Sequence, residues 1–89
     1  MQIMLRTKTV EMGGIYRDDF IKYLLKIGGN VEDQETIKGP FWNIRLGSEN
    51  WTMVGSLRIQ YVFVTFNVEE DKFDEFLAKF RLNFLKAGG

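Results

Sequence analysis

Residues 58–66, Arg58-Ile59-Gln60-Tyr61-Val62-Phe63-Val64-Thr65-Phe66, leave the chain little choice of structure. Seven of the nine are β-branched or aromatic and none is Gly or Pro, which is the composition of a strand. Arg58 and Gln60 alternate with Ile59 and Tyr61. From Val62 onward both sides turn apolar, the pattern of a central strand with both faces at least partly covered. Just behind it, the longest helical period in the sequence runs from about Glu70 to Lys86. Strand and helix together form the centre of one small domain.

The flanking segments follow the same two periods. Gln2 to Val10 alternates as a half-buried strand, and Gly13-Gly14 breaks it. Between Ile15 and Ile27 the period becomes helical: Phe20, Leu24 and Ile27 form a stripe that Ile21 and Leu25 widen. Gly28-Gly29 caps that helix; a phosphate-binding loop would place its glycines before a helix, not after one. Asn30 to Lys38 is polar and reads as a weak edge strand, in part a loop. Phe41 to Leu46 alternates again. Gly47-Ser48-Glu49-Asn50 reads as a hairpin-like turn, and Trp51 to Val54 as a short strand that reaches the central one through Gly55-Ser56. In the last helix Phe73, Phe76, Leu77, Phe80 and Phe84 share one face, a stripe that reads as core.

The predicted fold is therefore α+β: a two-layer sandwich of order β-α-β-β-β-β-α, with a mostly antiparallel sheet and both helices on one face. This order resembles one repeat of the TATA-binding-protein fold, a likeness of topology that carries no function. The 89 residues make a single domain, 1–89. Such a chain buries only about 60–65% of its unfolded surface. Its eight Phe, three Tyr and two Trp are thus central to the core.

Composition also limits the chemistry. There is no Cys and no His, which removes thiolate metal sites, disulfides and the usual general base near neutral pH. Ser48 and Ser56 fall in turns with no base to activate them. The acidic groups Asp18/Asp19, Glu32/Asp33 and Glu69/Glu70/Asp71 lack the spacing of a metal site, and two of them lie at helix starts where carboxylates suit the dipole. The expectation is no catalytic residue, no metal and no cofactor. Charges near the N-terminus and the lack of a long apolar run argue against a signal peptide or a membrane span and for a cytoplasmic protein.

Two candidate sites remain. With both helices on one face of the sheet, the other face is open to solvent, a second copy or a ligand. Arg6, Lys8, Arg45 and Arg58 alternate out of their strands, and Tyr61, Trp42 and Trp51 lie among them or opposite them according to register; basic residues interleaved with aromatics on an open sheet bind single-stranded nucleic acid by stacking and phosphate contact. Twelve basic and twelve acidic residues cancel, which favours a solvated face or a homodimer interface over nucleic acid. The second candidate is the closing diglycine, Gly88-Gly89, with Arg81 one position from Phe80 on the preceding helix. Ubiquitin-like sulfur carriers activate such a diglycine as an adenylate and thiocarboxylate, but from a mobile tail that leaves a strand; here it follows a helix, where Gly is an ordinary terminator.

Phe80-Arg81-Leu82-Asn83-Phe84-Leu85-Lys86-Ala87-Gly88-Gly89 resembles the ending of an uncharacterised archaeal family of small two-layer α/β domains. That family is similar to the C-terminal module of some archaeal proteins related to the molybdopterin synthase small subunit. Phe20-Ile21-Lys22-Tyr23-Leu24-Leu25-Lys26-Ile27-Gly28-Gly29 and Trp42 extend the likeness more loosely. The resemblance implies a fold and an archaeal cytoplasmic setting, with no activity attached. The reading that results is a non-enzymatic binding or assembly module acting through its open sheet face. Its partner would be another protein or a second copy; the alternatives are nucleic-acid binding through the sheet face, or a ubiquitin-like sulfur carrier or molybdopterin-related accessory protein acting through the C-terminal diglycine.

Overall fold

A computed structural model of the chain describes residues 4–88. The elements are β1 (Leu5–Gly13), α1 (Arg17–Lys26), β2 (Asn30–Val31), β3 (Thr36–Lys38), β4 (Trp42–Leu46), β5 (Asn50–Val54), β6 (Leu57–Glu69), a 3-10 turn (Glu70–Lys72) and α2 (Phe73–Gly88). All strands pair antiparallel in one sheet of order β1-β6-β4-β3-β2, with β5 also on β6. The α+β sandwich is thus as predicted, with one refinement. The polar Asn30–Lys38 segment is a small hairpin of two strands, because Asp33 turns the chain: its Oδ1 accepts hydrogen bonds from the backbone N–H groups of Glu35 and Thr36, both at 2.8 Å. These bonds to the ionised form hold the Asp33 carboxyl below its usual value.

One face of the sheet carries the core. Trp42, Ile44 and Leu46 of β4 and Val62, Val64, Phe66 and Val68 of β6 are buried at every second position, as a one-sided strand requires. Phe20 and Leu24 of α1 and the whole α2 stripe, Phe73, Phe76, Leu77, Phe80 and Phe84, join the same cluster. Both helices therefore lie on that face. Leu25, read as part of the α1 stripe, is instead exposed. The centre is Phe80, with ring centroids of Phe84 at 4.8 Å, Phe66 at 4.9 Å, Tyr23 at 5.6 Å and Phe20 at 5.8 Å. Edge-to-face and offset pairs of this kind add to the area term.

The α1 ending follows the predicted cap. Gly28 has φ +102°; its N–H reaches the Leu25 carbonyl at 3.2 Å and the Gly29 N–H reaches that of Leu24 at 2.9 Å, the two bonds of a Schellman motif. Gly39 has a packing role: a Cβ there would lie 2.1 Å from the Trp42 ring.

The predicted turn at Gly47–Asn50 is a correction. β4 and β5 do not pair with each other but follow one another along the same edge of β6. Leu46 faces Val64 and Asn50 faces Tyr61, so three residues on one strand oppose two on the other. This is a β-bulge in one long hairpin, which bends the strand and swaps the face each later residue presents. Arg17, at the start of α1, braces it. Its Nε donates to the Gly47 carbonyl at 3.1 Å, its backbone N–H to Glu49 Oε2 at 3.4 Å, and its Nη2 to the Gln34 carbonyl. Past the bulge, β5 and the first part of β6 leave the helices behind as a two-stranded arm closed by Gly55-Ser56. Gly55 has φ +62°, the left-handed conformation that a two-residue hairpin turn demands at its first central position. β6 has 13 residues, roughly 43 Å at about 3.3 Å per residue, which accounts for a longest dimension of 53 Å against 25 and 21 Å.

Phe80→Ala is expected to remove about 3–5 kcal/mol, a large share of the roughly 5–15 kcal/mol that holds a small domain. Leu82→Ala, on the exposed side of the same helix, should shift a urea melt by less than about 0.5 kcal/mol. Equal effects would mean that α2 packs by another face. Arg17→Ala should lower stability by about 1 kcal/mol and speed amide exchange over residues 47–54; unchanged exchange there would show that the bulge needs no brace.

Candidate functional site

The face of the sheet away from the helices is built from the alternate residues. In β6 these are Leu57, Ile59, Tyr61, Phe63, Thr65 and Asn67, and the register adds Val54 and Thr52 from β5, Glu11, Thr9 and Thr7 from β1, and Arg45 and Asn43 from β4. The double-sided apolar run at Val62–Phe66 is therefore not covered twice. Val62, Val64 and Phe66 are buried, while Phe63 is 46% exposed on the opposite side.

This face divides in two. Toward the arm it is apolar: Val54 and Leu57 pair across the strands, Ile59 follows, and the Tyr61 and Phe63 rings meet edge to face at 5.6 Å. Leu57 is 65% exposed. Toward the other end the face is polar and bonded to itself. The Thr9 and Thr65 hydroxyls are 3.0 Å apart, Thr7 donates to Asn67 Oδ1 at 2.6 Å, and Arg45 makes a fork to Glu35 Oε2 at 2.8 and 3.0 Å. Single exposed apolar residues are ordinary, but a contiguous row with a polar flank is the anatomy of an interaction surface.

The basic and aromatic residues predicted to share this face do not gather on it. Arg6 and Lys8 pair with Val68 and Phe66, which puts them on the helix side at the sheet margin. There the Arg6 guanidinium lies 4.5 Å from the Phe73 ring and 3.8 Å from Asp74. Trp42 is in the core, 5.5 Å from Phe76. Trp51 and Arg58 sit beyond the bulge on the helix side of the arm, the guanidinium 4.4 Å over the indole. Of the six, only Arg45 is on the open face, and it is engaged with Glu35. The missing piece of the sequence reading was register: alternation shows that a strand has two sides, not which side faces the helices. Arg81 is exposed on α2 and Gly88 is the last residue of that helix; Gly89 lies outside the described residues.

On the helix side are two shallow grooves. One, of about 540 Å³, runs beside α1 between Tyr16, Asp19, Lys22, Tyr23, Lys26 and Phe84. The other, of about 400 Å³, lies between Ile27, Phe41, Trp42, Lys72 and Lys79. In the second, Lys79 reaches Glu75 at 3.0 Å and Lys72 reaches Glu69 at 3.4 Å, so its cations already have carboxylate partners. Burial raises the Tyr23 hydroxyl above its usual value, with Lys79 acting in the opposite direction. Among the described residues there is no group of three or more Asp or Glu side chains that could hold a metal ion, and no helix is long and apolar enough to cross a membrane.

The sequence bears out the resemblance seen at its ending. No curated protein matches the chain. The family model for the archaeal MoaD-like protein, however, matches residues 8–89, from β1 through α2, far more than the segments in which the likeness is visible to the eye. The chain belongs to the archaeal MoaD-like protein family.

Proposed function

We propose that this archaeal MoaD-like domain is a non-enzymatic binding module whose working surface is the apolar half of the open sheet face. The observation that carries the reading is the row Val54, Leu57, Ile59, Tyr61 and Phe63, contiguous on the side of the sheet that neither helix covers. Taking a large apolar side chain from full exposure to full burial is worth roughly 1.5–3 kcal/mol; Val54, Leu57 and Phe63 still expose about half or more of their surface, so a partner covering the row gains a part of that from each. The chemistry of the row suits another protein: it offers apolar contact and an aromatic pair, flanked by Thr and Asn hydroxyl and amide groups for a polar rim. It offers little to a phosphate backbone, because the basic residues point elsewhere or are paired.

The family match also runs through Gly88-Gly89, and this supports a second reading, a sulfur carrier that reacts through a free Gly89 carboxylate. In that case the carboxylate attacks ATP, pyrophosphate leaves, and a sulfur donor displaces AMP to give a thiocarboxylate. The helix that continues to Gly88 would have to unwind for the tail to enter an activating enzyme.

A photoreactive benzophenone side chain at position 63, irradiated in an archaeal cell extract, is expected to give adducts of discrete mass that disappear when Tyr61 and Leu57 become Ser. The same group at exposed position 82 should give none. Adducts of equal pattern at both positions, or turnover of a substrate by the purified protein, would overturn the binding reading. For the second reading, incubation with an activating enzyme, ATP and a sulfur donor should raise the mass by about sixteen units, as sulfur replaces one oxygen of the Gly89 carboxylate. An unchanged mass would remove it.

A further inference from the structure

The arm has a second unused surface, its edge. β5 pairs with β6 on one side, and among the described residues no strand pairs with its other side. Two bonds near the root of the arm fix which backbone groups are free. The Gly14 N–H donates to the Gln60 carbonyl, and the Gly47 N–H to the Phe63 carbonyl, both at 2.9 Å. Even residues of β6 therefore turn their backbone groups toward β1, and odd residues toward β4 and β5. Because hydrogen-bonded and non-hydrogen-bonded pairs alternate along an antiparallel ladder, Asn50, Thr52 and Val54 bond to Tyr61, Ile59 and Leu57. The N–H and C=O groups of Trp51 and Met53 point outward.

Other edges of this sheet are protected as natural edges are. β1 carries Arg6, Lys8 and Glu11, and β2 has only two residues. β5 reads Asn50-Trp51-Thr52-Met53-Val54, with no charge, no Pro and no Gly. It is exposed along its whole length, Met53 to 62%, in a two-stranded ribbon, a structure that is marginal in water without further strands.

We propose that β5 is a homodimerisation strand, which pairs antiparallel with β5 of a second copy about a two-fold axis through Thr52. This register is self-complementary. Trp51 of each copy faces Met53 of the other, and the two outward N–H and two outward C=O groups of each copy find partners, which makes four backbone hydrogen bonds. On one side of the new sheet the indole meets the thioether, a favourable contact. On the other, Thr52 meets Thr52 at the axis and Asn50 meets Val54. No charge opposes a like charge, and a net charge of +0 lets two copies approach without mutual repulsion. The two ribbons become four strands, the helical bodies lie at opposite ends, and the contact is isologous, as closed dimers require. The inference rests on the strand edge and is independent of the partner proposed for the sheet face. Were both true, the dimer would set the two apolar rows side by side.

Light scattering from micromolar to millimolar protein is expected to show the mass rise from one copy to two. Thr52 is exposed and its backbone bonds lie within the arm, so Thr52→Lys and Thr52→Glu should keep the circular dichroism of the parent. Each sets like charges across the axis and should remain at one copy, whereas an equimolar mixture of the two should return to two copies. Phe63→Ser, which impairs the sheet-face reading, should leave the dimer intact, so the two readings fail separately. A parent protein that stays monomeric at every concentration, a dimer that both charged variants retain, or a mixture that does not reassociate would each overturn the proposal.

Discussion

The packing of Phe80 decides how the rest of this molecule is arranged. Its ring touches α1 through Phe20 and Tyr23, the sheet through Phe66, and its own helix through Phe76 and Phe84. A chain this short has one core to spend its aromatics on. Once both helices lock into that cluster, nothing in the described residues is left to cover the far side of the sheet. The exposed row from Val54 to Phe63 is the counterpart of a core gathered on one side.

The second constraint is a mismatch of lengths. β6 outruns the helices, and the chain opposite it must bend to follow. The bulge at residues 47–49 permits the bend, and Arg17 ties it to α1 and to the β2–β3 turn. The bulge also inverts the alternation: Trp42, Ile44 and Leu46 face the core from even positions, while Trp51 and Met53 share that side from odd ones. A single inserted residue therefore separates a buried strand from an exposed arm.

Much of this was legible in the sequence. The spacing of Phe73, Phe76, Leu77, Phe80 and Phe84 is helical and strong enough to name the buried face of α2, and Gly28-Gly29 marks a helix end because its backbone conformation needs glycine. The two-layer class follows from the order of such elements. The surface was harder to read. Phe63 looks like core from its neighbours, and only the position of the helices shows otherwise. Arg6, Lys8, Arg45 and Arg58 look alike as alternating cations, yet pairing to β6 sends them to different places. Gly-Ser-Glu-Asn suits a turn as well as a bulge, and the register that decides between them depends on residues far apart in the chain. Arg17 gave no signal at all, since nothing distinguishes a bracing arginine from a solvated one before its carbonyl partners are placed.

That the sheet has one covered and one open face underlies every surface of this molecule. It can be tested by nuclear magnetic resonance with a soluble gadolinium chelate, which relaxes nuclei near solvent. In dilute protein, side-chain signals of Val54, Leu57, Tyr61, Phe63 and Thr65 should broaden strongly, while those of Val62, Val64, Phe66 and Phe80 stay sharp. Equal protection of odd and even positions along β6 would mean that both faces are covered, and would contradict the account.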